Sequence, residues 1–287
     1  MGAPAKGRRK RRTAARLFRF DRQFGSRFVA GVDEAGRGSL AGPLVAGGVL
    51  IDLERIGTRE RRALAHLDDS KQKSPEEREA LYPAVIRAAV CVSVAVRSVR
   101  AIDRNGLHVS NIAALSDCMR AVATGLDDVT RLVDGFRLHA CELEHRNVVD
   151  GDARSAAIAA ASVIAKVTRD RYMHRVASRY PRWNFEGNVG YSTPEHRDAI
   201  REHGICPLHR RSFASIAYTQ LELAGGDIDE LGLEVRDGAS ASPTSASQPH
   251  TAAGEAEEGG AGVLERVADV IDIRTAMPVE ADPDDVE

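Results

Sequence analysis

Apolar residues along this chain gather into short, β-branched runs separated by longer stretches in which apolar and charged positions alternate with helical spacing. Phe28 to Val32, Leu44 to Ile51, Val90 to Val99, Val129 to Val133 and Asn147 to Val149 read as strands. The pair Gly47-Gly48 inside the second run signals a bulge or the close approach of another backbone. Ser74-Pro75-Glu76-Glu77 combines a capping serine, proline at the first helical position and acids in the first turn, so a helix is expected from there to about Ala89. Further helices are expected from Ser110 to about Thr124 and from Ala156 to about Ser178, the last apolar at its start and charged toward its end. Strands alternating with helices predict an α/β domain around a central sheet, spanning residues 27–222.

Charge changes the picture at the two ends. The formal net charge is only −2, but residues 1–27 hold ten Lys and Arg against one Asp, whereas residues 227–287 hold sixteen Asp and Glu against three Arg. The block Lys6-Gly7-Arg8-Arg9-Lys10-Arg11-Arg12 predicts a disordered basic arm over residues 1–26, either a tether to polyanions or a solvated tail. Residues 223–287, with stretches such as Gly238-Ala239-Ser240-Ala241-Ser242-Pro243, predict an acidic, mostly disordered tail. Within that tail Val263 to Ile271 has the makings of a short helix or strand that docks on something, with no further assignment. Removal of either end is expected to leave chemistry untouched, because the informative motifs lie between them. No apolar run long enough for a membrane span and no secretory signal is found, so a cytoplasmic location without membrane association is expected. Cys91, Cys118, Cys141 and Cys206 are scattered and read as reduced thiols.

The candidate chemistry is concentrated in Val32-Asp33-Glu34-Ala35-Gly36-Arg37-Gly38-Ser39, directly after the first strand. Side chains alternate along a strand, so Asp33 and Glu34 reach a common region only if the strand frays into a loop there. Adjacent carboxylates repel and raise one another's pKa unless a cation intervenes, and a hard divalent ion such as Mg²⁺ or Mn²⁺ prefers oxygen ligands. Glycines beside Arg37 let backbone amides come close to a ligand. Taken alone, the pair more often describes a solvated turn. Asp134 ends a buried-looking strand, where α/β sheets place ligands, or else is a turn aspartate; Asp152 precedes a helix and alone would read as its cap.

Motifs along the chain resemble the ribonuclease HII family, the type 2 ribonucleases H. Gly31-Val32-Asp33-Glu34-Ala35-Gly36-Arg37-Gly38 with Leu40-Ala41-Gly42-Pro43 is similar to its opening segment, and Asp69-Ser70-Lys71, Leu132-Val133-Asp134-Gly135, Gly151-Asp152 with Ser162-Val163-Ile164-Ala165-Lys166, Gly190-Tyr191-Ser192-Thr193-Pro194 and His209-Arg210-Arg211-Ser212-Phe213 follow in the family's order. The resemblance implies a ribonuclease H-like fold, a central mixed five-stranded sheet flanked by helices, with a small helical C-terminal subdomain from about residue 180. It implies an endoribonuclease that hydrolyses the RNA strand of RNA–DNA hybrids and cuts 5′ to single ribonucleotides in duplex DNA, leaving a 3′-hydroxyl and a 5′-phosphate. Asp33, Glu34, Asp134 and Asp152 are implied as the ligands of two divalent cations, Mn²⁺ or Mg²⁺. Gly36, Arg37 and Gly38 are implied to read the 2′-hydroxyl, Tyr191 to stack on the following deoxyribose, and Lys71 to contact phosphate, with Lys166, Arg169, Arg210 and Arg211 as further phosphate candidates. A monomer is expected.

Three departures from the family pattern stand out. Asp150 replaces a common lysine and offers an alternative ligand to Asp152, Phe136 replaces a polar residue, and Ser39 stands where proline is common. A junction resolvase of the same superfamily, or a non-catalytic nucleic-acid-binding module, would share parts of this pattern.

Overall fold

A computed structural model describes residues 6–67, 73–139 and 141–212, together with the strand Val270–Asp272. The helices are α1 (Lys6–Arg22), α2 (Thr58–Ala63), α3 (Pro75–Ala88), α4 (Val99–Asn105), α5 (Leu107–Ala123), α6 (Ala156–Ala177), α7 (Phe185–Asn188) and α8 (Pro194–His203). The strands are β1 (Phe28–Ala35), β2 (Leu44–Asp52), β3 (Cys91–Arg97), β4 (Val129–Asp134), β5 (Arg146–Val148) and β6 (Val270–Asp272). They form one mixed sheet in the order β5-β4-β1-β2-β3-β6. β1 is antiparallel to β2 and parallel to β4, β4 is parallel to β5, and β3 is antiparallel to both its neighbours. Strands β1 to β5 are the expected five; the sixth comes from the C-terminal tail and pairs Ser93 with Asp272 through Ala95 with Val270. The rest of the expected acidic tail lies outside the described residues.

Alternation along the strands assigns each face its own core. Val29, Val45, Val49 and Ile51 pack with α1, α3 and α6, whereas Ala30, Val32, Leu44, Ala46 and Leu50 pack with α5. Both helical layers come unusually close, and glycine is the reason. A Cβ at Gly31 would overlap the Ala157 and Ile158 backbone, and one at Gly47 would stand 2.5 Å from the Ala161 carbonyl oxygen, so α6 lies directly on β1 and β2. On the other face a Cβ at Gly48 would lie 3.0 Å from Cys118 Cβ of α5. The Gly47-Gly48 pair therefore marks close approach on both faces, not a bulge.

Three expectations are corrected. The strand does not fray at the acidic pair: β1 continues to Ala35, with Asp33 paired to Gly47 and Glu34 to Ala46. β3 stops at Arg97 because the Ser98 side chain accepts the Ala101 amide and starts α4. The N-terminal segment expected as a disordered arm is helical over Lys6–Arg22, because Ala14, Leu17 and Phe18 share one face and are buried in the α6-side core. Among the described residues no helix is long and apolar enough to cross a membrane.

Asp21, near the end of α1, is fully buried and its Oδ2 accepts the Ala157 amide at 3.1 Å. Burial raises its pKa to about 7, against hydrogen bonds that lower it. The folded chain thus retains a proton that the unfolded chain releases, and this contribution to stability is full below about pH 4 and lost as pH rises through about 7. Asp21→Asn, which keeps an acceptor, should flatten that segment of the urea-midpoint profile; identical profiles for both chains would refute the assignment. Gly31→Ala should cost about 2–3 kcal/mol by overpacking, whereas Gly38→Ala, with nothing within 4 Å, should stay within about 0.5 kcal/mol by the same denaturation measurement.

Candidate active site

The last parallel pairing of β1 with β4 joins Val32 to Val133, so the next residues, Asp33 and Asp134, stand on neighbouring strands at the end of that pairing, each still paired to its other neighbour, Gly47 and Val148. Asp33, Glu34 and Asp134 line one cleft of about 360 Å³, together with Gly36, Arg37, Gly38 and Tyr191. Asp33 and Glu34 alternate as strand residues must, yet both reach the cleft because it lies at the sheet end. Asp33 is buried and its carboxyl is pushed well above the usual carboxylate range, first by desolvation and then by the charges of Glu34 and Asp134. The Ser162 side chain and the Glu34 amide, which donates to Asp33 Oδ1 at 2.8 Å, offset part of this.

Asp134 Oδ1 accepts the Gly151 amide at 2.7 Å, which ties the end of β4 to the turn Gly151–Ala153. That turn carries Asp152, which is buried and is not among the residues that line the cleft. Asp150, the alternative ligand, is exposed and holds a left-handed φ of 51°. Among the described residues no group of three or more His, Cys, Asp or Glu side chains is already gathered as a metal cage. Lys71 and its Asp69-Ser70 neighbours lie outside the described residues.

Cations also line the cleft. Lys166 Nζ lies 2.9 Å from Asp170 Oδ1, and Arg78 Nη2 lies 3.5 Å from Asp170 Oδ2, so one carboxylate on α6 orients two cationic side chains from α6 and α3. Arg78 and Ser162 were missed from sequence. Ser162, Lys166 and Asp170 are spaced by four on one helix, which was the available signal for Ser162; the pairing of Arg78 with α6 has no local signature.

Arg169 and Arg210 are not phosphate contacts but buried clamps. The Arg169 guanidinium donates to the Pro43, Ala41 and Val189 carbonyls at 3.0, 3.0 and 2.9 Å and to Ser39 Oγ at 2.8 Å. Arg210 donates to the Gly42 and Arg37 carbonyls, both at 3.0 Å. Arg211 is exposed. Gly36 has φ +85°, and a Cβ there would overlap Arg169, so the clamp and the glycine specify each other. Of the departures, Ser39 is thus a clamp partner, and Phe136 lies under the Arg37 guanidinium at 5.3 Å. Leu40 and Ala41 amides donate to the Gly190 carbonyl, joining the Gly36–Pro43 loop to the turn that presents Tyr191. The Tyr191 ring is flanked by Lys166 Nζ at 4.6 Å and Arg169 Cζ at 4.9 Å.

Behind Tyr191 two buried histidines form a directional relay. The Cys206 amide donates to His209 Nδ1 at 2.9 Å, so a neutral His209 carries its proton on Nε2. That proton is donated to His196 Nε2 at 3.1 Å, and His196 Nδ1–H then donates to the Tyr191 carbonyl at 2.8 Å. Burial, followed by the neighbouring His196, lowers the His209 pKa to about 4, and burial lowers that of His196. Both rings should therefore be neutral in ¹⁵N–¹H spectra at pH 7.5, with Nε2–H on His209 and Nδ1–H on His196; a proton on His209 Nδ1 would refute the relay.

The family model described as Ribonuclease HII matches residues 30–216 of this chain. Ribonuclease HII of Geobacillus kaustophilus is 42% identical over 203 residues, covering 70% of this chain and 74% of that protein. Ribonuclease HII of Acidovorax sp. strain JS42 is 44% identical over 191 residues, covering 66% and 86%. The crystal structure of ribonuclease H2 from Pyrococcus horikoshii superimposes with a TM-score of 0.56 at 27% identity, covering 70% of this chain and all of that one.

Proposed function

Because the chain belongs to the ribonuclease HII family and is a nuclease acting on the RNA of RNA–DNA hybrids, we propose that it cuts 5′ to ribonucleotides, including single ones embedded in duplex DNA, and leaves a 3′-hydroxyl and a 5′-phosphate. The observation that carries this reading is one cleft lined by Asp33, Glu34 and Asp134 together with the Gly36-Arg37-Gly38 loop and Tyr191. Family membership displaces the junction-resolvase and non-catalytic alternatives.

The donor set suits a divalent cation. Its oxygens are hard ligands, and the raised Asp33 carboxyl reports a crowding of negative charge that a cation relieves. We assign Asp33, Glu34, Asp134 and Asp152 as the residues that would hold two such ions, Mn²⁺ or Mg²⁺. When bound, the pair supplies activation of the attacking water and neutralisation of the departing 3′ oxygen. Ser162 orients Asp33, and the Gly151 amide orients Asp134. The Gly36–Gly38 backbone reads the ribose 2′-hydroxyl, which is common to all four ribonucleotides and absent from DNA. Tyr191 supports the next sugar, and Arg37, Arg78 and Lys166 face the phosphates. One chain supplies every residue named, so the working unit is a monomer. All four cysteines are free thiols, which suits the reducing cytoplasm.

Duplex DNA containing one ribonucleotide should be cut with Mn²⁺ or Mg²⁺, and the all-DNA duplex left intact. Asp134→Asn should lower turnover by at least about 10³-fold, because an amide no longer balances cation charge, while circular dichroism shows the fold retained. Near-native turnover in that variant would remove Asp134 from the ligand set.

A further inference from the structure

The N-terminal helix α1 lies outside the stretch matched by the family model, yet it holds the turn that carries Asp152. Arg16 Nη2 donates to the Ala153 carbonyl at 2.9 Å. The buried Asp21 carboxylate accepts the Ala157 amide at 3.1 Å. The Arg154 guanidinium lies over the Phe20 ring at 4.9 Å. Leu17 and Phe18 are fully buried in the same core as Val148, Ala156 and Ala157. Residues 153, 154 and 157 are thus gripped from the α1 side, while Gly151 is held from the cleft side by Asp134. Asp152 lies between the two grips. Its backbone is therefore anchored through its neighbours on both sides.

We propose that Arg16 and Asp21 are positioning residues for the fourth carboxylate, and that α1 is part of the catalytic apparatus rather than a detachable basic arm. This rests on the assignment of Asp152 as a metal ligand. Partners that orient a ligand from behind govern affinity for the ion, commonly by about 10- to 100-fold. Release of the Gly151–Ala153 turn should therefore weaken cation binding and slow turnover without weakening the hold on nucleic acid.

The full-length chain provides the test. Arg16→Ala and Asp21→Ala should each lower kcat on a single-ribonucleotide duplex by about tenfold or more, with KM changed less than about twofold. Calorimetric titration of the free protein with Mn²⁺ should show affinity reduced by a similar factor. Arg16→Lys and Asp21→Asn, which keep a donor and an acceptor, should recover most of both losses. Arg19→Ala, an exposed change on the same helix, should behave as wild type. If Asp21→Ala fails to fold, Arg16→Ala decides, since it removes only an exposed guanidinium. Unchanged kcat and Mn²⁺ affinity, or a rise in KM alone, would overturn the proposal. Asp152→Asn titrated in parallel separates the two readings: unaltered Mn²⁺ affinity there removes Asp152 as a ligand, whereas a wild-type chain that binds Mn²⁺ but leaves the ribonucleotide intact refutes the proposed substrate.

Discussion

Everything at the active end of this molecule depends on how closely α6 lies on β1 and β2. Gly31 and Gly47 provide no Cβ where Ala157, Ile158 and Ala161 pass, and the small residues Ala156, Ala157, Ala159, Ala160 and Ala161 continue the contact. Interiors are packed so densely that one added methyl group has no room to relax. That contact places Ser162 against Asp33 and Lys166 in the cleft. It also brings Arg169 within reach of the loop that follows β1. A wider helix-to-sheet spacing would separate the carboxylates of the sheet from every group that orients them.

Two opposite charges are buried within this contact, and they are handled differently. Arg169 is fully buried and satisfied by three carbonyls and a hydroxyl, so its charge is spread over dipoles rather than matched by a carboxylate. The loop it holds is consequently fixed before substrate arrives. Asp33 is buried beside two further carboxylates and is left electrostatically strained. The same helix therefore stabilises the Gly36–Pro43 loop and leaves the Asp33 carboxyl electrostatically unbalanced.

Much of this was legible in the sequence because it depends on short-range rules. The strands follow short runs of β-branched apolar residues, and α3 is capped by Ser74, whose side chain accepts the Glu77 amide as its capping pattern implied. That Asp33, Glu34 and Asp134 share one cleft was legible because carboxylates at the ends of strands in a sheet face a common region. What failed depended on long-range packing. Arg169 and Arg210 look like nucleic-acid contacts until the carbonyls that surround them are known, and all of those except that of Val189 come from residues more than a hundred positions away. The basic run at the N-terminus outweighed a weaker signal, Ala14, Leu17, Phe18 and Asp21 on one helical face, whose meaning appears only when α6 supplies the opposite surface. The pairing of Val270–Asp272 with β3 is similarly invisible, since a three-residue strand has no period of its own.

The parallel pairing of β1 with β4 has a consequence in time. Val32 meets Val133 only after β2, β3 and four intervening helices have been made, so during synthesis Asp33 and Glu34 leave the ribosome long before Asp134 exists. Contacts between distant segments form late, after the entropy of closing the intervening loop has been overcome. The nascent chain therefore carries half a site and no nuclease. The cleft is complete only once α6 and Tyr191 have been made, about two thirds of the way along the 287-residue chain.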